Sequence, residues 1–278
     1  MNQSLIEYRE PIGFQVVCHH WPSLMDHPHT HSEIEINFLT AGSLTYLHGG
    51  QIVTVDAGKM AVFWGGVPHQ TIQSSVQTEG FLITLPLAWF LQWAVSSDFC
   101  DRLLSGELMI DSSQVNLDQE NLNRWATDYS SADKELRSAL LLELEARLIR
   151  FATVARIEKK DQRMKSPAIS ATQVERVSRF IAMNFREPLT LDKIAQAVVL
   201  HPKYLTQVFK KHCHLNVWEY VLRLRVSHAQ RLLVQTDMNI IDVAMDSGFE
   251  SLGPFYNAFH RYGPGVKPAR YREQFQAH

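Results

Sequence analysis

Between Leu191 and His260 the same short arrangement occurs twice, about fifty residues apart. A first helical run places Leu191, Ile194 and Ala195 on one face, and Leu200-His201-Pro202 breaks it, with Pro202 suited to a helix first turn. The helix that follows, KYLTQVFKKH, turns Tyr204, Leu205, Val208 and Phe209 inward and leaves Lys203, Thr206, Gln207 and Lys210 outward. In the second copy Ile240, Ile241, Val243 and Ala244 form the supporting helix and Gly248-Phe249 the turn. Ser251 is positioned to cap a helix in which Phe255 and Phe259 repeat the spacing of Leu205 and Phe209. Its outward positions are Pro254, Tyr256, Asn257 and His260. A short helix, a tight turn and a second helix with a polar outer face form a helix-turn-helix, whose second helix enters the major groove of duplex DNA. Between the copies, NVWEYVLRLRVSHAQRLLVQT starts at a capping Asn216 and has no Gly or Pro, so it reads as a rigid connecting helix.

The charge distribution agrees. Residues 173–278 hold 14 Lys/Arg against 9 Asp/Glu, a balance of +5, whereas residues 1–172 hold 13 against 20, a balance of −7. A basic C-terminal part on an acidic body points to a polyanionic partner for the former.

From about Leu189 to Phe275 the chain resembles the AraC/XylS family of bacterial transcription activators. The residues that carry the resemblance are Tyr220, Arg225, Ala229, Leu232 and Leu233 in the connecting helix, the run IIDVAMDSGFES, the Phe255–Phe259 pair, and Pro268, Tyr271 and Arg272 near the end. Within the family, the whole-chain layout is nearest to the carbohydrate-operon members. The resemblance implies sequence-specific binding of double-stranded DNA, a small-molecule effector such as a sugar, RNA polymerase as a partner, and a homodimer. Three positions depart from the family pattern. Val199 stands in the first turn where Gly is frequent, which implies a strained turn. Lys267 replaces the usual Ser/Thr before Pro268, in a loop one residue longer than usual. Asn257 occupies a position commonly held by Arg, which weakens base reading by the second helix.

The N-terminal half has a different period. From Ile12 to about Leu85, short alternating segments are separated by Ala41-Gly42, Gly49-Gly50, Ala57-Gly58 and Gly65-Gly66, the pattern of an antiparallel sandwich or small barrel. Gly49-Gly50 marks a hairpin, because both residues accept positive φ. After Pro86 the spacing becomes helical: a buried helix over Leu87–Leu104, another over about Asp118–Tyr129, and a third over Asp133–Ile157. In the third, Leu136, Leu140, Leu144, Leu148 and Phe151 form one stripe, which either packs within its own domain or pairs two chains.

HPHTHSEIEINFLTAG carries His29, His31 and Glu35 ahead of Gly42, and Pro68-His69 follows. This spacing resembles the first cupin motif, and alternation places His29, His31, Glu33 and Glu35 on one strand face. Three readings remain open. The quartet His29, His31, Glu35 and His69 holds a divalent metal, as in cupin enzymes. Alternatively it hydrogen-bonds a sugar while Trp64 or Trp21 stacks on it, the preferred reading, which has no cofactor and no catalytic residue. Finally, these are solvated barrel residues with no ligand. The first reading carries the different-class alternative, a metal-dependent cupin enzyme with an accessory DNA-binding domain.

The expected organisation is therefore an α+β two-domain protein. Residues 1–157 form a cupin-like β-barrel with C-terminal helices for effector binding and dimerisation, 158–172 a linker, and 173–278 an all-α double helix-turn-helix domain. The opening MNQSLIEYRE lacks a basic start and an apolar run, and Phe81–Val95 is too short and too interrupted to span a bilayer. Cys18, Cys100 and Cys213 are widely spaced and odd in number, as for reduced, incidental thiols. The expected location is the cytoplasm, with no membrane partner.

Overall fold

The computed structural model describes residues 13–20, 24–75, 77–111, 113, 115–131, 133–162, 173–213, 216–263 and 265–276. Eight strands form the N-terminal part: β1 (Gln15–His20), β2 (Ile34–Ala41), β3 (Ser43–His48), β4 (Gln51–Asp56), β5 (Met60–Trp64), β6 (His69–Ser74), β7 (Glu79–Leu85) and β8 (Met109–Asp111). They make two antiparallel sheets, ordered β1-β7-β2-β5-β8 and β4-β3-β6. Gly49 and Gly50 have φ of 55° and 82° and close the β3–β4 hairpin with His48 opposite Gln51, the two-residue turn that fits strand twist.

Strand β2 is buried on both faces, which its alternating sequence explains. Ile34, Ile36 and Phe38 join Val62, Trp64, Ile83 and Leu85 in a core on the helical side of the larger sheet. Leu39 faces the other way, into a core between the sheets with Leu44, Tyr46, Val55, Ala61 and Phe63. Glu35 and Asn37 share the parity of Leu39, so two polar side chains are carried into the space between the sheets.

The apolar run after Pro86 is two helices rather than one: α1 (Leu87–Phe90) and α2 (Ser97–Leu104). Ser96 takes the extended N-cap conformation and Asp98 lies in the first turn of α2, an internal start signal that stops continuation from α1. Helices α3 (Val115–Ser130) and α4 (Lys134–Gln162) follow. Helix α4 continues five residues into the expected linker, and residues 163–172 lie outside the described residues. Its Leu140, Leu144, Leu148 and Phe151 are buried within the single chain, whereas Leu136 is exposed. A polar brace holds α4 in place: buried Arg147 donates to both Asp118 carboxylate oxygens at 2.5 and 2.7 Å and to Asp111 on β8 at 2.7 Å.

The C-terminal part is α5 (Gln173–Asn184), α6 (Leu191–Ala197), α7 (Pro202–Cys213), α8 (Val217–Gln235), α9 (Ile240–Asp246), α10 (Leu252–Tyr262) and α11 (Pro268–Gln276). Side-chain caps start three of them: Thr190 accepts from Lys193, Asn216 from Glu219 and Asn239 from Asp242. Ser251 occupies the N-cap of α10 but makes no side-chain cap bond, contrary to expectation. The two turns are the same motif. Leu200 N–H donates to Ala195 C=O and Val199 N–H to Gln196 C=O, and Phe249 and Gly248 repeat these bonds to Ala244 and Met245. Each turn therefore needs one left-handed residue. Gly248 supplies φ +85°, whereas Val199 is forced to +58°.

Two stability outcomes follow from these observations. Val199 is 82 % exposed and gains little from its side chain, while a β-branched residue in the left-handed region costs about 1–2 kcal/mol. Val199→Gly should raise the urea midpoint by roughly 1 kcal/mol in stability with an unchanged slope. The double change Leu140→Glu and Leu144→Glu should abolish folding, seen as loss of circular dichroism, because both positions lie in the intrachain core. A folded monomer in sedimentation would instead assign the stripe to a dimer seam.

Candidate functional site

The histidines at the start of the barrel segment converge, but not from one strand. His29 and His31 precede β2. His29 is held against β6 by paired bonds, His29 N–H to His69 C=O at 3.0 Å and the reverse at 3.1 Å, and His31 N–H donates to Gly65 C=O at 2.9 Å. His69 opens β6. The ring centroids of His29 and His69 are 4.2 Å apart and those of His31 and His69 5.1 Å apart. One nitrogen from each of the three rings lies within 4.8 Å of the others, a grouping able to hold a metal ion. Glu35 Oε2 lies 3.1 Å from His31 Nε2 and 3.6 Å from His69 Nε2, while Asn37 donates to Glu35 Oε1 at 2.7 Å.

Burial sets the charges. His31 pays desolvation, but its bonds to Glu33 and Glu35 outweigh that and raise its pKa to about 9. For Glu35, burial pushes the pKa upward and is overcome by bonds and attraction from His31 and His69, which hold the carboxyl well below its usual range. His29 is lowered to about 4 by burial and then by repulsion from His69 and His31. His48, opposite His69 in the β3–β6 pairing, is also lowered to about 4, again mainly by burial. The site thus combines a cationic imidazole, a carboxylate and neutral imidazoles within a few ångströms.

Four neighbours of this cluster were not among the expected site residues. Asn37 anchors Glu35, and the i, i+2 alternation that singled out Glu35 also reaches it. His48 flanks His69. The Val67 carbonyl lies 2.9 Å from His69 Nδ1 and thereby assigns the proton to that nitrogen. Gly65 makes room: a Cβ there would fall 2.2–2.6 Å from the His31 ring. Trp64, in contrast, does not line the site. It pairs with Ile34 on the helical side of the sheet, is fully buried, and donates its indole N–H to Ser32 C=O. The aromatic opposite Glu35 is Phe63, whose ring centroid is 5.0 Å from that of His69. Trp21 lies outside the described residues.

On α7, Lys203, Gln207 and Lys210 are exposed as expected. Thr206 is half-buried, and its hydroxyl donates to Pro202 C=O at 3.0 Å. Tyr204, expected inward, is 47 % exposed beside them. On α10, Pro254, Tyr256, Asn257 and His260 are exposed, with Phe255 and Phe259 fully buried beneath. Each unit therefore presents one helix with a polar outer face, and the capped helix α8 joins the two.

A helix-turn-helix domain family matches residues 194–274, from α6 into α11. The melibiose operon regulatory protein of Escherichia coli (strain K12) is 27 % identical over 261 residues, which cover 92 % of this chain and 86 % of that protein. The HTH-type transcriptional regulator ArgR of Pseudomonas aeruginosa is 31 % identical over 137 residues, 48 % of this chain and 41 % of the relative. Among solved structures, ToxT from Vibrio cholerae O395 is 12 % identical with a TM-score of 0.42, covering 96 % of this chain and 99 % of that one. No helix among the described residues is long and apolar enough to cross a membrane. With the duplicated reading unit, the capped connecting helix and these relatives in place, residues 194–274 are a helix-turn-helix domain, and the chain is similar to DNA-binding bacterial transcription regulators of the AraC/XylS type.

Proposed function

We propose that this regulator is a cytoplasmic homodimeric activator that responds to a small molecule, a carbohydrate, bound at His29, His31, Glu35 and His69. The observation that carries the sensing part is the convergence of those four side chains at the edge of the barrel. Sugar hydroxyls both donate and accept. Glu35 offers acceptor oxygens, the His31 imidazolium offers N–H, and neutral His29 can take either role. The relative matched over most of both chains is named for the melibiose operon, which supports a carbohydrate. The relatives are regulators, which favours this reading over a cupin enzyme. Lys203, Thr206, Gln207 and Lys210 on α7, with Pro254, Tyr256, Asn257 and His260 on α10, meet duplex DNA, and RNA polymerase is the partner in activation.

A second reading, a divalent ion on His29, His31, His69 and Glu35, has its own support. His69 donates from Nδ1 to Val67 C=O, while its buried Nε2 has no hydrogen-bond partner and lies 3.6 Å from Glu35 Oε2, a spacing that a bound cation could bridge. Glu33 lies 3.4 Å from His31 Nδ1, the outer partner a metal-bound imidazole uses. An ion there would serve as an electrostatic anchor for an effector.

Thermal denaturation across a sugar panel separates the two. In the sugar reading one sugar raises the melting temperature, Glu35→Gln abolishes that shift, and the full chain still binds DNA. In the metal reading a chelator lowers the melting temperature and elemental analysis finds one ion per chain.

On DNA, affinity should fall steeply with salt, because phosphate neutralisation releases counterions. Gln207→Ala should cost about 1–3 kcal/mol at particular base pairs, whereas Lys210→Ala should weaken all sequences evenly and flatten the salt dependence. Footprints of the full chain that stay within a single half-turn would contradict two reading helices.

A further inference from the structure

The sensor half touches the DNA-reading half at several polar contacts, among them the ion pair of Arg179 on α5 with Asp101 on α2, and one of these junctions reaches the second reading unit. His228, on α8, is 1 % exposed. Gln92, just after α1, sends one amide hydrogen to Ala88 C=O and the other to His228 Nδ1, both at 2.6 Å. His228 Nδ1 is therefore an acceptor, and Nε2 carries the hydrogen that Asp246 Oδ2 accepts at 3.1 Å. Asp246 is the last residue of α9, the supporting helix of the second unit. Its other oxygen and its backbone carbonyl are clasped by Arg186, at 2.5 and 2.9 Å. The Phe185 ring, next to Arg186 and ahead of the first unit, packs edge-on against His228 at 5.7 Å. Beside this, Trp89 on α1 donates its indole N–H to Ser227 C=O at 2.7 Å. One buried imidazole thus meets the sensor, the segment leading into the first unit, and the second unit.

We infer that Gln92 and His228 are positioning residues for DNA recognition, through which the sensor half sets the placement of α9 and α10 relative to α6 and α7. Nothing covalent fixes that placement except α8 and the loop after it, Thr236–Asn239. Beyond its own cap and turn bonds, the polar contacts of α9 with more distant residues named above run through Asp246. Removing the Gln92 amide leaves His228 Nδ1 without its acceptor role satisfied and frees the ring to choose the other tautomer, which would present a lone pair to Asp246 and repel it. Gln92 is exposed over the rest of its surface, so its replacement tests positioning with little risk to folding.

The inference rests on the DNA-reading assignment, and the experiment distinguishes their failures. Hydroxyl-radical footprints of the full chain are taken on a duplex selected in vitro by the same protein. Wild type should protect two segments about one helical turn apart. Gln92→Ala should protect the segment under α7 at the wild-type concentration but need about tenfold more protein for the segment under α10, a loss in the range of one mismatched base pair. His228→Gln, which keeps a donor for Asp246 and loses the Nδ1 acceptor, should reproduce this, and the double variant should add little further. If Gln92→Ala lowers the melting temperature yet leaves both segments protected as in wild type, the residue is structural only and the inference is overturned. A single protected segment in wild type overturns it as well. Absence of any selected duplex overturns the DNA-reading assignment itself. Should Gln92→Ala unfold, Gln92→Met, close in volume and without the amide, takes its place in the same comparison.

Discussion

A helix-turn-helix of two short helices cannot bury its apolar stripe alone; in this chain the first copy packs on α5 and α8, and the second on α8. Its Tyr220, Val221 and Leu224 join Ile194, Ala195, Leu205 and Phe209 of the first unit. Its Val226, Ala229 and Leu233 join Val243, Ala244, Phe249, Phe255 and Phe259 of the second. Each fully buried Leu, Val or Phe is worth about 1.5–3 kcal/mol, so neither unit is expected to hold its two short helices without these packing partners. Helix α8 also receives the sensor, through Ser227 and His228. Three bodies therefore share one element. The core of the first unit is moreover continuous with that of the barrel, running from Val16 through Leu144 to Leu224. The second unit is the part with a separate core, which leaves its placement to α8 and to the polar contacts of Asp246.

The barrel site is governed by a related constraint, the cost of burying charge. A carboxylate moved into a protein interior carries a penalty of several kcal/mol, and hydrogen bonds to a charged group return about 1.5–3 kcal/mol each. Glu35 meets this with Asn37, His31 and His69, none of which comes from the same strand position. The cluster is thus a set of mutual dependencies: Gly65 admits His31, Val67 orients His69, and both imidazoles keep Glu35 ionised. A polar cluster so assembled is rigid before any ligand arrives, which lowers the ordering cost of binding.

How much of this was legible in the sequence depended on the range of the interaction. The two reading units were readable because everything that makes them is local: helical spacing, the Gly248 turn, the Asn216 cap. Even the strain at Val199 followed from a single residue standing where a left-handed conformation is required. Strand parity was the next level, and it was half-read. Alternation selects Glu35 and Asn37 correctly, yet choosing Trp64 as the stacking aromatic needed the β2–β5 register, which pairs Glu35 with Phe63 and sends Trp64 to the opposite face. The placement of His29 and His31 on β2 failed because their convergence depends on the bridge to His69, forty residues away. The break between α1 and α2 had a local sign, Ser96 before an acidic turn, that hydrophobicity obscured. Strand β8 is three residues long and exists because β5 offers it an edge. The junction at His228 had no local sign at all, since Gln92 is 136 positions away in the chain.

The geometry also explains why a barrel ligand would be felt by DNA-reading helices. Glu35 lies directly opposite Thr84 on β7, and Leu85 and Pro86 lead from there into α1. Sheet pairing makes that stretch stiff, so a displacement at Glu35 is passed along β7 more readily than it is absorbed. At its far end α1 is registered on α8 by two adjacent acceptors, Ser227 C=O and His228 Nδ1. Two hydrogen bonds of about 0.5–1.5 kcal/mol each sum to about 1–3 kcal/mol. This equals the usual free energy of coupling between linked sites, about 1–3 kcal/mol. A ligand need not unfold or separate the domains to change the placement of the second unit. It needs only to bind the arrangement with these two bonds made more, or less, tightly than the one with them broken. Because the bonds are short-ranged and directional, an ångström of movement of α1 is enough to lose them. The Trp89–Ser227 and Gln92–His228 bonds would then be the switching contact at the end of the path from Glu35 along β7 to α8.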